Sequence, residues 1–154
     1  MNRSIGILIG AALLAGVAVA QERQGAIAGP PAVAAAPTAP AHAEVYLISP
    51  HDGAKLRSPL TVRFGLKGMG VAPAGVKFDN TGHHHLLVDT DLAEVKLDAP
   101  LPATDKVLHF GKGQTETELK LTPGKHTLQL LFADYTHVPI SPTVASKKIS
   151  ITVE

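Results

Sequence analysis

The chain has 154 residues, with Lys+Arg 14 against Asp+Glu 13, no cysteine and an aromatic share of 4%. So even a charge gives no electrostatic footprint for nucleic acid or an anionic membrane surface, which excludes both as partners. Without a thiol, no disulfide can offset a small core, and a blue-copper thiolate centre is excluded.

The first residues predict export. Arg3 supplies one positive charge, Ile5 to Val17 is an almost unbroken apolar run, and Ala18-Val19-Ala20 ahead of Gln21 is a small-x-small cleavage pattern. Residues 1–20 therefore read as a signal peptide cut after Ala20, and the mature protein is expected in a bacterial periplasm or secreted. The run is shorter than the roughly 20 apolar residues that span a bilayer, and no later segment approaches that length. With Arg3 gone from the Lys+Arg 14, the mature chain is formally neutral, and its eight histidines would charge it as pH falls.

Residues 21–43, QERQGAIAGPPAVAAAPTAPAHA, form an Ala/Pro-rich tract with side chains too small to build a core. An extended, disordered linker is expected. Residues 44–154 then fit one domain. Val45-Tyr46-Leu47-Ile48 is a strand ending at the turn cluster Ser49-Pro50-His51-Asp52-Gly53. Leu60, Val62, Phe64 and Leu66 alternate with polar positions as a half-buried strand. Thr117, Leu119 and Leu121 alternate with Glu116, Glu118 and Lys120, and Thr122-Pro123-Gly124-Lys125 turns the chain into His126 to Phe132, which predicts a hairpin. Ile149, Ile151 and Val153 close the chain as a last strand. No segment combines helical period, caps and length.

About seven strands at this spacing predict an all-β fold, an immunoglobulin-like antiparallel β-sandwich. Ser49-Pro50-His51-Asp52-Gly53-Ala54 followed by Ser58-Pro59-Leu60-Thr61-Val62 resembles the opening of many bacterial immunoglobulin-like modules, although the usual Cys and Trp core markers are missing.

The richest chemistry sits at His83-His84-His85, directly ahead of Leu86-Leu87-Val88. On a strand, His83, His85, Leu87 and Asp89 share one face, while His84, Leu86 and Val88 share the other. Leu86 and Val88 look like core residues, so His84 should point inward and the His83/His85 pair toward the sheet surface or its rim. Two histidines need further ligands from elsewhere. His109 ends a short strand before Phe110-Gly111, where glycine lets another segment come close. Asp134 and His137 begin the loop after the strongest strand, at the end of a sandwich where ligands converge. The expected metal ligands are His83, His85, His109 and His137, with His84 and Asp134 as alternates and Asp89 as an outer residue orienting an imidazole. His42, His51 and His126 read as ordinary solvated or core-satisfied histidines.

Imidazoles with at most one carboxylate suit Cu²⁺, Zn²⁺ or Ni²⁺, and the affinity order favours copper where copper is present. A methionine-rich Cu⁺ carrier is disfavoured, since after the leader Met69 is the sole methionine, available only as a weak axial ligand. The functional expectation is a periplasmic carrier or buffer of one divalent copper or zinc ion. The alternative is a non-catalytic immunoglobulin-like envelope module, binding or structural, in which the histidines serve hydrogen bonds. An enzyme is the least favoured: there is no nucleophile elbow, HExxH or phosphate-cradling glycine loop, and only Asp89, Asp134 and Glu116 could act as base beside a metal.

The segments Gly82-His83-His84-His85-Leu86-Leu87-Val88-Asp89, Leu108-His109-Phe110-Gly111-Lys112-Gly113-Gln114-Thr115-Glu116 and Pro123-Gly124-Lys125-His126-Thr127-Leu128-Gln129-Leu130 resemble a family of exported bacterial proteins catalogued as a domain of unknown function. The resemblance spans nearly all of Val45 to Val153. It implies export and the domain boundaries, and no activity, cofactor or substrate.

Overall fold

The computed structural model describes residues 38–154. The proposed leader and residues 21–37 of the proposed linker lie outside the described residues. Residues 38–43 are seated against the domain, with the Ala39 N–H donating to the Ser141 carbonyl at 2.8 Å.

Nine strands follow in chain order: β1 (Glu44–Ser49), β2 (Lys55–Leu56), β3 (Leu60–Lys67), β4 (Gly70–Val71), β5 (Thr81–Val88), β6 (Val107–His109), β7 (Glu116–Leu119), β8 (Gly124–Ala133) and β9 (Ile149–Val153). The one helical element among the described residues is a 3-10 turn, Leu92–Glu94. Seven of the strands exceed two residues, as the alternation predicts. They form two sheets, β1-β3-β7 and β2-β9-β8-β5-β4, with β6 added to β5. Most pairs are antiparallel; the two-residue strands β2 and β4 pair parallel with β9 and β5. The architecture is an immunoglobulin-like β-sandwich, in which the chain crosses repeatedly between the two layers.

The main core fills the space between the sheets. Val62, Phe64 and Leu119 of the small sheet face Leu86, Val88, Leu128, Leu130, Phe132 and Ile151 of the large one. Period-two alternation places these residues inward, and burial of such side chains contributes about 1.5–3 kcal/mol each.

Two expectations need correction. β7 and β8 do not form a hairpin: β7 pairs with β3 through Leu60↔Leu119 and Val62↔Thr117, while β8 pairs with β5 and β9. The turn at Pro123-Gly124, with Gly124 at φ +140°, instead carries the chain from one layer to the other. Alternation reveals which face is buried, and it is silent on which strand lies alongside. The outer face of the large sheet is also not a solvent face. A second apolar cluster of Leu87, Leu101, Val107, Leu131 and Ala133, with Leu92, Val95 and Ala145 packed on it, covers that side. Residues 89–106 between β5 and β6 supply much of the cover, tied down where Lys148 pairs with Asp91. β5 is therefore buried on both faces, the reason for its near-continuous apolar and histidine run.

Candidate metal centre

Strand register gathers the histidines. His85 lies opposite His109 on β6 and opposite Leu131 on β8, and His83 lies opposite Ala133. Directly opposed side chains project from the same face, so His83, His85 and His109 meet on the outer side of the large sheet. His137 arrives from the loop after β8, which folds back so that Pro139 bridges Ala133. His137 has φ +71°, a left-handed conformation that costs a non-glycine residue free energy. Asp134 holds it there: Oδ1 accepts from Thr136 N (2.8 Å), Thr136 Oγ1 (2.6 Å) and Val138 N (3.0 Å), and the Asp134 carbonyl accepts from His137 N at 3.0 Å. Leu101 N–H donates to the His137 carbonyl at 2.9 Å, which ties the loop to the cover.

The four rings form a tight group. Each offers a nitrogen, and these four atoms all lie within 4.8 Å of one another. Ring centroids are 4.7 Å apart for His109–His137, 4.9 Å for His83–His85 and 5.0 Å for both His83–His109 and His83–His137. His83 Nε2 and His137 Nδ1 are 3.2 Å apart. Metal–nitrogen bonds of 2.0–2.1 Å in a tetrahedron require an N···N edge of about 3.3 Å, so the His83–His137 contact already has ligand spacing and no other edge has to shorten by more than about 1.5 Å.

Burial sharpens the chemistry. His83 and His85 are 0% exposed, and among the described residues His83 Nδ1 and both ring nitrogens of His85 have no hydrogen-bond partner. A buried polar atom left unpaired costs about 1–3 kcal/mol, an expense that native folds rarely accept without a role. Burial above all, then the neighbouring imidazoles His109 and His137, holds the His83 pKa down at about 4. Burial, followed by His83 and His109, brings His85 to about 3. His109, which reaches solvent, is lowered mainly by desolvation and then by His137. At neutral pH His83, His85 and His109 thus present free lone pairs, the form that a metal needs.

The four predicted ligands are therefore brought together, while other expectations fail. His83 and His85 are not at the surface, because the second apolar cluster covers their face. His84 is no alternate ligand: it points into the main core between Phe64 (5.2 Å) and Phe132 (5.1 Å). Burial lowers its pKa to about 4; the Gln114 backbone acts weakly in the opposite sense, without normal hydrogen-bond geometry. Asp134 is not in the ligand group, since its Oδ1 serves the loop. Asp89 lies past the other end of β5 and orients none of the four; its carboxylate bonds His126 Nδ1 at 2.7 Å and Thr127 N at 2.8 Å. Met69 packs against the main core, and Glu116 pairs with Arg63 on the surface.

One contributor escaped the sequence. A Cβ at Gly111 would lie 2.3–2.4 Å from the His109 ring, so this glycine leaves the space that the ring occupies. The close approach expected there also occurs, as Ala74 N–H donates to the Gly111 carbonyl at 2.9 Å. The His-x-Gly spacing was the available signal, because residues two apart on an extended chain share a face.

Comparison with known proteins adds a family and little chemistry. The sequence profile described as Domain of unknown function (DUF4399) matches residues 62–154. No curated protein matches. Among solved structures, the fibronectin(III)-like modules of Clostridium thermocellum CbhA align at 16% identity and a TM-score of 0.37, covering 71% of this chain and 92% of that one.

Proposed function

The chain belongs to the family described as Domain of unknown function (DUF4399), and since that description assigns no chemistry, we propose from the site itself that the domain holds one copper or zinc ion through His83, His85, His109 and His137. One observation carries the proposal: four imidazoles from two strands and a loop converge, and those of the inner pair, fully buried, keep unpartnered nitrogens. Four ligands fill a tetrahedral ion, the pattern of a holding site; hydrolytic zinc sites keep one position open for water. A carrier or buffer fits this better than an enzyme. The leader read at residues 1–20 supports a periplasmic or secreted setting, where copper is the strongest competitor by affinity order.

The competing reading, an immunoglobulin-like envelope module with structural histidines, draws on the 3.2 Å contact between His83 and His137, which one ring proton would turn into a hydrogen bond. It leaves both His85 nitrogens without a purpose. Calorimetric titration of the untagged protein with Cu²⁺, Zn²⁺ and Ni²⁺, beside a His83→Ala/His85→Ala variant, separates the two. One ion per chain, with affinity lost by at least about a hundredfold in the variant, is expected. Matching weak isotherms for both proteins would dispose of the metal.

A further inference from the structure

Asp134 is a buried carboxylate, 4% exposed, that immediately follows the residue paired with His83. Its Oδ1 collects three donors from Thr136 and Val138, on either side of His137 in sequence, so carboxylate and ligand belong to one rigid turn. Among the described residues the ligand group itself contains imidazoles alone and carries no negative charge. A divalent ion there would bring two positive charges into a poorly solvated pocket, where an uncompensated charge is strongly disfavoured.

We propose that Asp134 is the positioning residue and counter-charge of the histidine centre: it locks His137 in place and biases the site toward the more highly charged oxidation state of copper. This rests on the metal-binding function proposed above. Carboxylate and ligand stay close, because His137 N–H donates to the Asp134 carbonyl at 3.0 Å while the flanking Thr136 and Val138 amides donate to Asp134 Oδ1. A fixed negative charge attracts Cu²⁺ about twice as strongly as Cu⁺ at the same distance, so the carboxylate alters relative as well as absolute affinity. A residue that merely held the loop would weaken both oxidation states together.

The test uses the untagged protein loaded with copper and reads its reduction potential. Asp134→Asn keeps an Oδ1 acceptor for the turn and removes the charge. The expected result is a rise of about 59 mV, the equivalent of a tenfold shift in relative affinity toward Cu⁺ for a one-electron couple. Thr136→Val keeps the carboxylate and removes one donor to it; affinity for both states should fall about threefold or more, with no comparable rise in potential. Asp134→Ser is the second neutral variant, since a serine hydroxyl can accept from the same turn amides. A potential within about 15 mV of the native value in a folded neutral variant, or failure of both neutral variants to fold, would overturn the proposal. Failure of the native protein to bind copper would instead remove the metal-binding function on which it rests.

Discussion

Acid should unfold the metal-free domain at a pH set by its buried imidazoles. His83, His84 and His85 are 0% exposed, with pKa values of about 4, 4 and 3 against 6.5 in an unfolded chain. A group whose folded pKa is depressed contributes stability that is present above its unfolded value and is lost as pH falls. At pH 5 the unfolded chain has protonated all three positions while the native protein has not. Each costs about 2 kcal/mol, from 1.36 kcal/mol per unit over the 1.5 units below 6.5, and together they cost about 6 kcal/mol. Small domains have only about 5–15 kcal/mol in total, so a large share of the stability should vanish between pH 7 and pH 5. The decline flattens near pH 4, where the native imidazoles begin to take up protons. Urea unfolding with a chelator present, at pH 7.5, 6 and 5, measures this directly, and an unchanged m-value would show that stability alone has moved. A loss below about 2 kcal/mol across that range would refute the claim that these rings are buried and neutral.

Three further outcomes follow from particular contacts. Gly111→Ala, whose new methyl would collide with the His109 ring, should lower Zn²⁺ affinity by about tenfold or more while leaving the far-UV circular dichroism unchanged. His84→Leu removes two unpartnered nitrogens from the main core and should raise stability at pH 7.5 by about 1–2 kcal/mol, with metal affinity unaltered in the same titration. His126 bridges Asp89 (2.7 Å) and the Thr122 carbonyl (2.8 Å), and the Asp89 hydrogen bond raises its pKa. Its stabilisation is fully present below pH 6.5 and lost as pH rises through the folded pKa, so His126→Ala should destabilise the domain more at pH 5.5 than at pH 8.5 in denaturant titrations.

Local chemistry accounts for what was legible in the chain. Period-two alternation in Leu60–Leu66, Leu128–Phe132 and Ile149–Val153 established strands and their buried faces, because a pleated backbone sends neighbours to opposite sides. The same rule separated His84 from His83 and His85, and the residue types made His109 and His137 the natural companions. Partnership between strands was not legible. β7 carries a hairpin-like pattern yet joins β3, and an apolar face packs equally well whichever edge it aligns with. Nor could local pattern show that residues 89–106 fold over the outer sheet face, turning an expected rim pair into a fully buried one. Asp134 illustrates the limit most clearly, since an acidic residue three positions before a histidine reads as a ligand in one dimension. The sequence by itself determined which side chains could hold an ion and which face of β5 each would take. Only the tertiary structure decided that His85 opposes His109 across a register, that a turn braced by Asp134 swings His137 over them, and that the His83/His85 pair is fully buried, because register and cover depend on contacts between segments far apart in the chain.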